Sequence, residues 1–522
     1  MNKNLLKKIG KYFRWQYFLL LPLPSITFII REISKLYTGP YWFASNFDPE
    51  YAYLFNSLNV IHFFKIEYVD HPGTPLQVLG GVVIFLYNLF FRDSKVNEDV
   101  VLNSDLYLNV INIVIIFLLS ITLYIAGMVI YIKSKNIIYG LLIQITPFLS
   151  MTSIWTFHRV SPEPMLLIAG IWLSLFLYLL IQSKNTNHKI VILILSIITG
   201  FMISLKISSS AVILILLICL KLKDKLLYIF GVGLSFIIFT LPIMSSYKKL
   251  FEWIIKLLTH SGRYGSGNTG FLDYVDFINN LKYIVNGELV MISIVLIAFI
   301  TILYLQLRRN NYGVERNILL GISIFAIAQV MFVSKHFAYH YLIPLLSVSG
   351  ITVILILKSL ISSKKYKFIE VIVFLLLILV FINNFNKYRQ ITSKPKENFS
   401  ESIKIINFIK DNYDNYLKVY YYRSTSLEYA LNFGNGYSVN KYNAELETYF
   451  PDAYFYDIWG RNFSYWGRVM PLPKNDKIIF QGTPFEGKNA KYKPEGYVLD
   501  NVFNGNIETV YKLQGNMYQI KN

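Results

Sequence analysis

The sequence predicts an α-helical polytopic membrane protein of about eleven spans, followed by a small α/β domain outside the cytoplasm. Three observations carry this. Of the 522 residues, 54% are hydrophobic and only 16% charged, against roughly 25% charged in an ordinary soluble domain. The apolar residues fall in long uncharged runs, among them Leu106–Ile132, Leu226–Met244 and Val290–Leu305, the pattern of membrane-spanning helices. The final 140 residues lose that pattern. A soluble enzyme and a disordered scaffold are thereby excluded. The one cysteine, Cys219, lies inside an apolar run, which excludes disulfides and cysteine-rich metal sites.

The net charge of +19 does not point to nucleic acid, because the basic residues are spread between the apolar runs as the positive-inside rule expects. Lys3, Lys7, Lys8, Lys11 and Arg14 precede the first run, which reads as an uncleaved signal-anchor because Pro22 and Pro24 interrupt it and no small-residue cleavage site follows. Spans are expected near 15–33, 106–132, 136–152, 163–182, 190–205, 207–220, 226–244, 289–306, 317–333, 341–357 and 368–382. With the N-terminus inside, the inner segments hold 19 Lys and Arg and the short outer loops hold three, Arg159, Lys206 and Lys335. That bias places the C-terminus outside. Leu76–Phe91 has sixteen residues, short for a span, and is read as an interfacial helix on the outer face.

Three large pieces then lie outside: a first loop at 34–105, a Gly-rich loop at 245–288 and the C-terminal domain at 383–522. In the last, Asn398–Glu401 reads as a helix start and Ser424–Phe433 as a helix stopped by Gly434. Leu417–Tyr422, Lys477–Gln481 and Thr509–Leu513 read as strands. Nine aromatics crowd residues 449–466. They suit stacking on sugar rings or a prenyl chain, and also an interfacial belt, which is the favoured reading.

Ionisable residues are nearly absent from the middle of the spans, which argues against an ion-coupled transporter. They collect at the outer ends, with six of the seven histidines: His62, His71, His158, His260, His336 and His340. The first loop carries Asp48-Pro49-Glu50-Tyr51 and then Asp70-His71-Pro72-Gly73-Thr74-Pro75. A carboxylate there suits general-base work on an acceptor hydroxyl, although Asp-Pro also starts plain turns. Four cations share the outer level: Arg159, Lys206, Arg263 and Lys335. Facing a carboxylate, they suit displacement of a phosphate leaving group, with the base activating the nucleophile and the cations stabilising the charge that develops. For each alone, snorkelling at a helix end is an equal reading. His336 and His340 have a helical metal-ligand spacing, but no acid is adjacent, and no metal or other cofactor is assigned. Gly262–Gly267 lacks the phosphate-loop pattern and reads as a mobile lid or a flexible loop.

This layout resembles the GT-C glycosyltransferases, in the branch of the protein mannosyltransferases and aminoarabinose transferases. The residues that carry the resemblance are Asp48-Pro-Glu50-Tyr51, His71-Pro-Gly-Thr-Pro75, Glu163 at the head of a span, Lys206, and Tyr339-His-Tyr-Leu-Ile-Pro344. The resemblance implies transfer of a sugar from a polyprenyl-phosphate carrier to a lipid, glycan or protein on the outer face of the plasma membrane, with inversion. It implies Asp48 as the base, with Glu50 sharing or taking that role because Pro49 separates a pair that relatives hold adjacent. Arg159, Lys206, Arg263 and Lys335 would hold the donor phosphate. Tyr51, Asp70, His71, His158, Glu163, His336 and His340 would position substrate. The rivals are a lipid-linked glycan polymerase or ligase and a lipid or sugar flippase.

Overall fold

In the computed structural model, residues 15–183, 186–260, 269–270, 272–307, 313–361, 367–474, 477–505 and 507–516 are described. The chain folds as two units. The first comprises 1–32, 69–76 and 113–388, and the second 33–68, 77–112 and 389–522.

Among the described residues, nine helices are long and apolar enough to cross a membrane, or ten if one bent pair counts as a span. The chain is a multi-pass membrane protein. Three of the eleven expected spans differ for local reasons. The stretch 136–152 is not one helix: Ile137–Gln144 gives way to a tight turn at Thr146–Phe148, and Met151–Trp155 restarts after Ser150 caps it. Pro147 cannot continue the first helix. The stretch 207–220 forms a tight turn and a short helix ending at Cys219. The stretch 341–357 belongs to the bent pair Tyr339–Leu346 and Ser349–Leu360, which meet at 41°. The segment read as interfacial is longer than the sequence suggests, because the helix begins at Thr74 and runs to Phe91. Its eighteen residues rise about 27 Å, long enough to span.

The second unit holds a seven-stranded sheet in the order β4-β3-β2-β1-β5-β7-β6. The strands are β1 (Leu417–Tyr421), β2 (Ala453–Asp457), β3 (Asn462–Tyr465), β4 (Arg468–Val469), β5 (Ile478–Gly482), β6 (Tyr497–Asn504) and β7 (Thr509–Asn516). β1 pairs in parallel with β2 and β5, and the remaining pairs are antiparallel. β3 and β4 are joined by Trp466 and Gly467, both at positive φ, as a tight hairpin requires.

The aromatic run is mostly sheet core and not a belt. Tyr454, Phe455, Tyr456 and Trp466 are buried, and the Trp466 indole donates to the Phe450 carbonyl at 3.2 Å. The expected helix start at Asn398 is not a start, since one helix runs from Lys367 to Tyr413 and also passes through residue 383. The helix expected at Ser424–Phe433 is Leu427–Tyr437, with Ser426 as its cap and Gly434 inside it. A Cβ on Gly434 would lie 2.6 Å from the Tyr51 carbonyl oxygen, so this glycine permits close packing on the Phe47–Ile61 helix. Gly434→Ala should destabilise the second unit by about 1–3 kcal/mol, the usual cost of overpacking. A lowered midpoint in a thermal melt of the purified protein would register it, and an unchanged midpoint would contradict the close approach.

Candidate functional site

The first unit builds a cavity around Lys206. The helix Thr186–Leu205 stops at Lys206, which is extended (φ −156°, ψ 120°), and a tight turn begins at Ile207. That break aims the lysine side chain away from its own helix and leaves it only 2% exposed. Its ammonium pairs with Glu163. Glu163 lies in the first turn of the helix Pro162–Gln182, where the helix dipole favours a carboxylate. The lysine Nζ also sits 4.5 Å above the Tyr341 ring, and His340 Nε2 is 3.9 Å from the same Glu163 oxygen. Burial pulls the Lys206 ammonium below the usual lysine range, and Glu163 opposes that shift.

The turn at His71–Pro75 is tied to the same place, because Gly73 N–H donates to the Leu205 carbonyl at 3.2 Å. The His71 ring stands edge-on to Trp253, 6.1 Å between centroids. Burial first, and the Lys206 charge second, hold His71 well below the usual histidine range, so it is neutral at pH 7. His336 is also depressed by burial. Its Nε2–H donates to the Leu257 carbonyl at 2.9 Å in the neutral tautomer that this contact selects.

Together these groups line one cavity. Lys206, His71, Ser208 and His336 supply its polar side, and Trp253, Leu257, Phe332 and Phe337 supply apolar walls. Two polar atoms on its lining, Ser208 Oγ and His336 Nδ1, are buried with no hydrogen-bond partner among the described residues. Leaving a buried polar group unpaired costs about 1–3 kcal/mol, which a polar ligand would recover. Three N–H donors on an ammonium exceed what the Glu163 contact uses, so Lys206 can also donate to an anion. A phosphate at the polar side with an aliphatic chain along the apolar wall matches both halves.

No family model and no curated protein matches the sequence. Among solved structures, the chain is similar to ArnT from Cupriavidus metallidurans bound to undecaprenyl phosphate. The TM-score is 0.54 at 12% identity, covering 94% of this chain and 97% of that one. This chain has the fold of that structure, in keeping with the GT-C layout that its sequence resembles.

Within the GT-C fold, the expected site residues separate into groups. Lys206, His71, Glu163, His336 and His340 are brought together as described. Asp70 is half-buried, and burial raises its carboxyl above the usual range while Lys249 opposes the shift. The Arg159 guanidinium lies 4.5 Å from the Trp155 ring centre. Lys335 donates to the Leu257 and Leu258 carbonyls at 3.0 and 2.9 Å, and neither it nor Arg159 lines the cavity. His158 is buried in the tight turn Thr156–His158. Arg263 and the Gly-rich stretch around it lie outside the described residues. In the second unit, Asp48 is exposed and has non-helical backbone (φ −104°, ψ 116°). Glu50 and Tyr51 are fully buried, and the Tyr51 hydroxyl is 3.0 Å from Ser104 Oγ.

Trp253 and Ser208 are lining residues that the sequence reading does not single out, and Tyr341 enters it only inside the Tyr339–Pro344 motif. A signal for Trp253 exists: Leu250, Trp253, Ile254 and Leu257 follow helical spacing in the amphipathic helix Tyr247–Thr259. Reading residues 245–288 as a loop hides it.

Proposed function

We propose that this protein is a membrane glycosyltransferase that takes a sugar from a polyprenyl-phosphate carrier and passes it, with inversion, to a lipid, glycan or protein outside the cytoplasm. The supporting observation is the Lys206 cavity, where a buried cation adjoins the unpartnered Ser208 and His336 atoms beside an apolar wall. The solved neighbour of like fold is bound to undecaprenyl phosphate, a lipid of that chemistry.

In the proposed reaction the acceptor oxygen attacks the anomeric carbon and forms the new glycosidic bond. The bond from that carbon to the phosphate oxygen breaks, and the polyprenyl phosphate leaves with its electron pair. Lys206 stabilises the charge gathering on the phosphate. Neutral His71 can donate a hydrogen bond to a phosphate oxygen, and neutral His336 accepts at Nδ1 from a sugar hydroxyl. Glu163 keeps Lys206 charged where burial would otherwise neutralise it. The acceptor proton goes to a carboxylate, for which we propose Asp48.

Transfer of radiolabelled sugar from a synthetic polyprenyl-phosphate donor in proteoliposomes tests the reading. Product formation is expected. Donor that crosses the bilayer unaltered would instead support a flippase, and turnover restricted to a pyrophosphate-linked donor would support a polymerase or ligase.

We also propose that the C-terminus lies outside the cytoplasm, on the strength of the positive-inside bias. A C-terminal alkaline phosphatase fusion should be active and a fluorescent-protein fusion dark. The reverse pair would mean that the number of spans is even, and would overturn this orientation.

A further inference from the structure

A second cleft lies within the sheet of the second unit, and the proposed sugar transfer does not use it. β2, β1 and β5 run parallel, so their carboxyl ends share one edge, the edge at which open α/β sheets hold ligands. The cleft opens there beside β1 and β2. Tyr422 follows β1, Asp457 closes β2 and Trp459 lies in the turn after it. Its lining includes Tyr422, Tyr456 and Trp459 as aromatic faces and Asn432, Asp457 and Ser464 as hydrogen-bonding groups.

Three features narrow the ligand. The first is Trp459, which is 68% exposed although most aromatics around it are buried in the sheet. It is held there: its backbone N–H donates to Asp457 Oδ1 at 2.9 Å, and its ring meets Tyr422 edge-on with centroids 5.0 Å apart. An indole fixed at a cleft mouth offers a flat apolar face without further loss of side-chain freedom. The second is charge. Among the described residues the lining contains one carboxylate and no lysine or arginine, so it suits a neutral polyol rather than a phosphate. The third is size. The cleft holds about 170 Å³, close to the about 150 Å³ of a cavity that accepts a benzene ring. One six-membered ring fits, and a prenyl chain does not.

We propose that this cleft is a saccharide-binding site that seats one pyranose ring of a glycan. The apolar C–H face of the sugar lies on Trp459, and its hydroxyls meet Asp457, Asn432 and Ser464. An axial-rich and an equatorial-rich hexose present different C–H faces to an indole, so the site discriminates between them.

The test uses the full chain in lipid nanodiscs, without any donor, so its outcome is independent of sugar transfer. Saturation-transfer difference NMR is run with glucose, galactose, mannose and N-acetylglucosamine and the β-1,4-linked disaccharide of each. Ring-proton saturation is expected for at least one sugar. It should fall about fivefold or more in Trp459→Ala and in Asp457→Asn, while Trp459→Phe keeps part of it. Thermal melts matching the parent show that the variants remain folded, and Trp459→Phe, which preserves an aromatic ring, carries the test if Trp459→Ala does not. No saturation with any of the eight sugars would overturn the proposal, as would saturation that survives both Trp459→Ala and Asp457→Asn. Brominated-lipid quenching of Trp459 fluorescence, read as the difference between the parent and Trp459→Phe, with no sugar signal, would make Trp459 a membrane anchor and overturn it equally.

Discussion

Lys206→Ala should lower sugar transfer by about 100- to 1,000-fold, the scale on which removal of one preorganised group stabilising transition-state charge is felt. The lysine is 2% exposed and lines a cavity with few polar groups. In such a site little water competes for the ligand, so a positive charge acts more strongly than it would at the surface. The same burial complicates the single variant. Removing one partner of a buried ion pair costs about 3–5 kcal/mol because the other charge is stranded, and here Glu163 would be stranded. The double variant Lys206→Ala with Glu163→Gln removes both charges and should regain much of the thermal stability lost by Lys206→Ala, without regaining transfer. Recovery of transfer together with stability would show that Lys206 serves only the packing of the helix head, and the donor site would have to lie elsewhere. Lys206→Arg keeps the charge but replaces a compact ammonium with a planar fork, so an intermediate loss is expected.

The parts of this molecule that could be read in the sequence follow from periodicity and solvent. Runs such as Leu106–Ile132 and Val290–Leu305 appear as helices Ser104–Ser134 and Leu289–Leu307, because an apolar run of that length has one stable form in a membrane. The strands at Leu417, Ile478 and Thr509 were legible from β-branched and aromatic content. β2 and β3 were not, because their aromatic residues carry membrane-belt and sheet-core signals at once. Gly434 reads locally as a helix stop, and only the backbone of the neighbouring helix explains why it is interior. At the site, Lys206 and His340 stood out as ionisable groups at the outer ends of apolar runs, and Glu163 and the His71 turn through the family resemblance. Their convergence did not, since it depends on the helix break at Lys206 and on the Gly73–Leu205 hydrogen bond, two backbone facts without a composition signal. Ser208, one of three consecutive serines after Lys206, resembles any polar loop residue until its hydroxyl is found buried and unpartnered.

Asp48→Asn should lower turnover by about 100-fold or more, the loss expected when a general base is removed. Exposure decides between the two carboxylates that flank Pro49. A base must reach the hydroxyl it deprotonates, within about 3 Å or through one water. Asp48 is exposed, at an extended backbone position ahead of the helical turns that follow Pro49. Glu50 is fully buried within that helix, next to Tyr51 with its contact to Ser104. The substitution to Asn keeps the side chain's size and its capacity to accept a hydrogen bond, so folding and donor affinity should change little while the proton acceptor is lost. Glu50→Gln should act differently, reducing thermal stability more than turnover, because it alters an interior group rather than one facing solvent. Equal turnover in the parent, in Asp48→Asn and in the double variant with Glu50→Gln would remove the Asp48-Pro49-Glu50 segment from the chemistry and pass the base to another acid, of which Asp70, later in the same loop and with a carboxyl raised by burial, is the next to substitute.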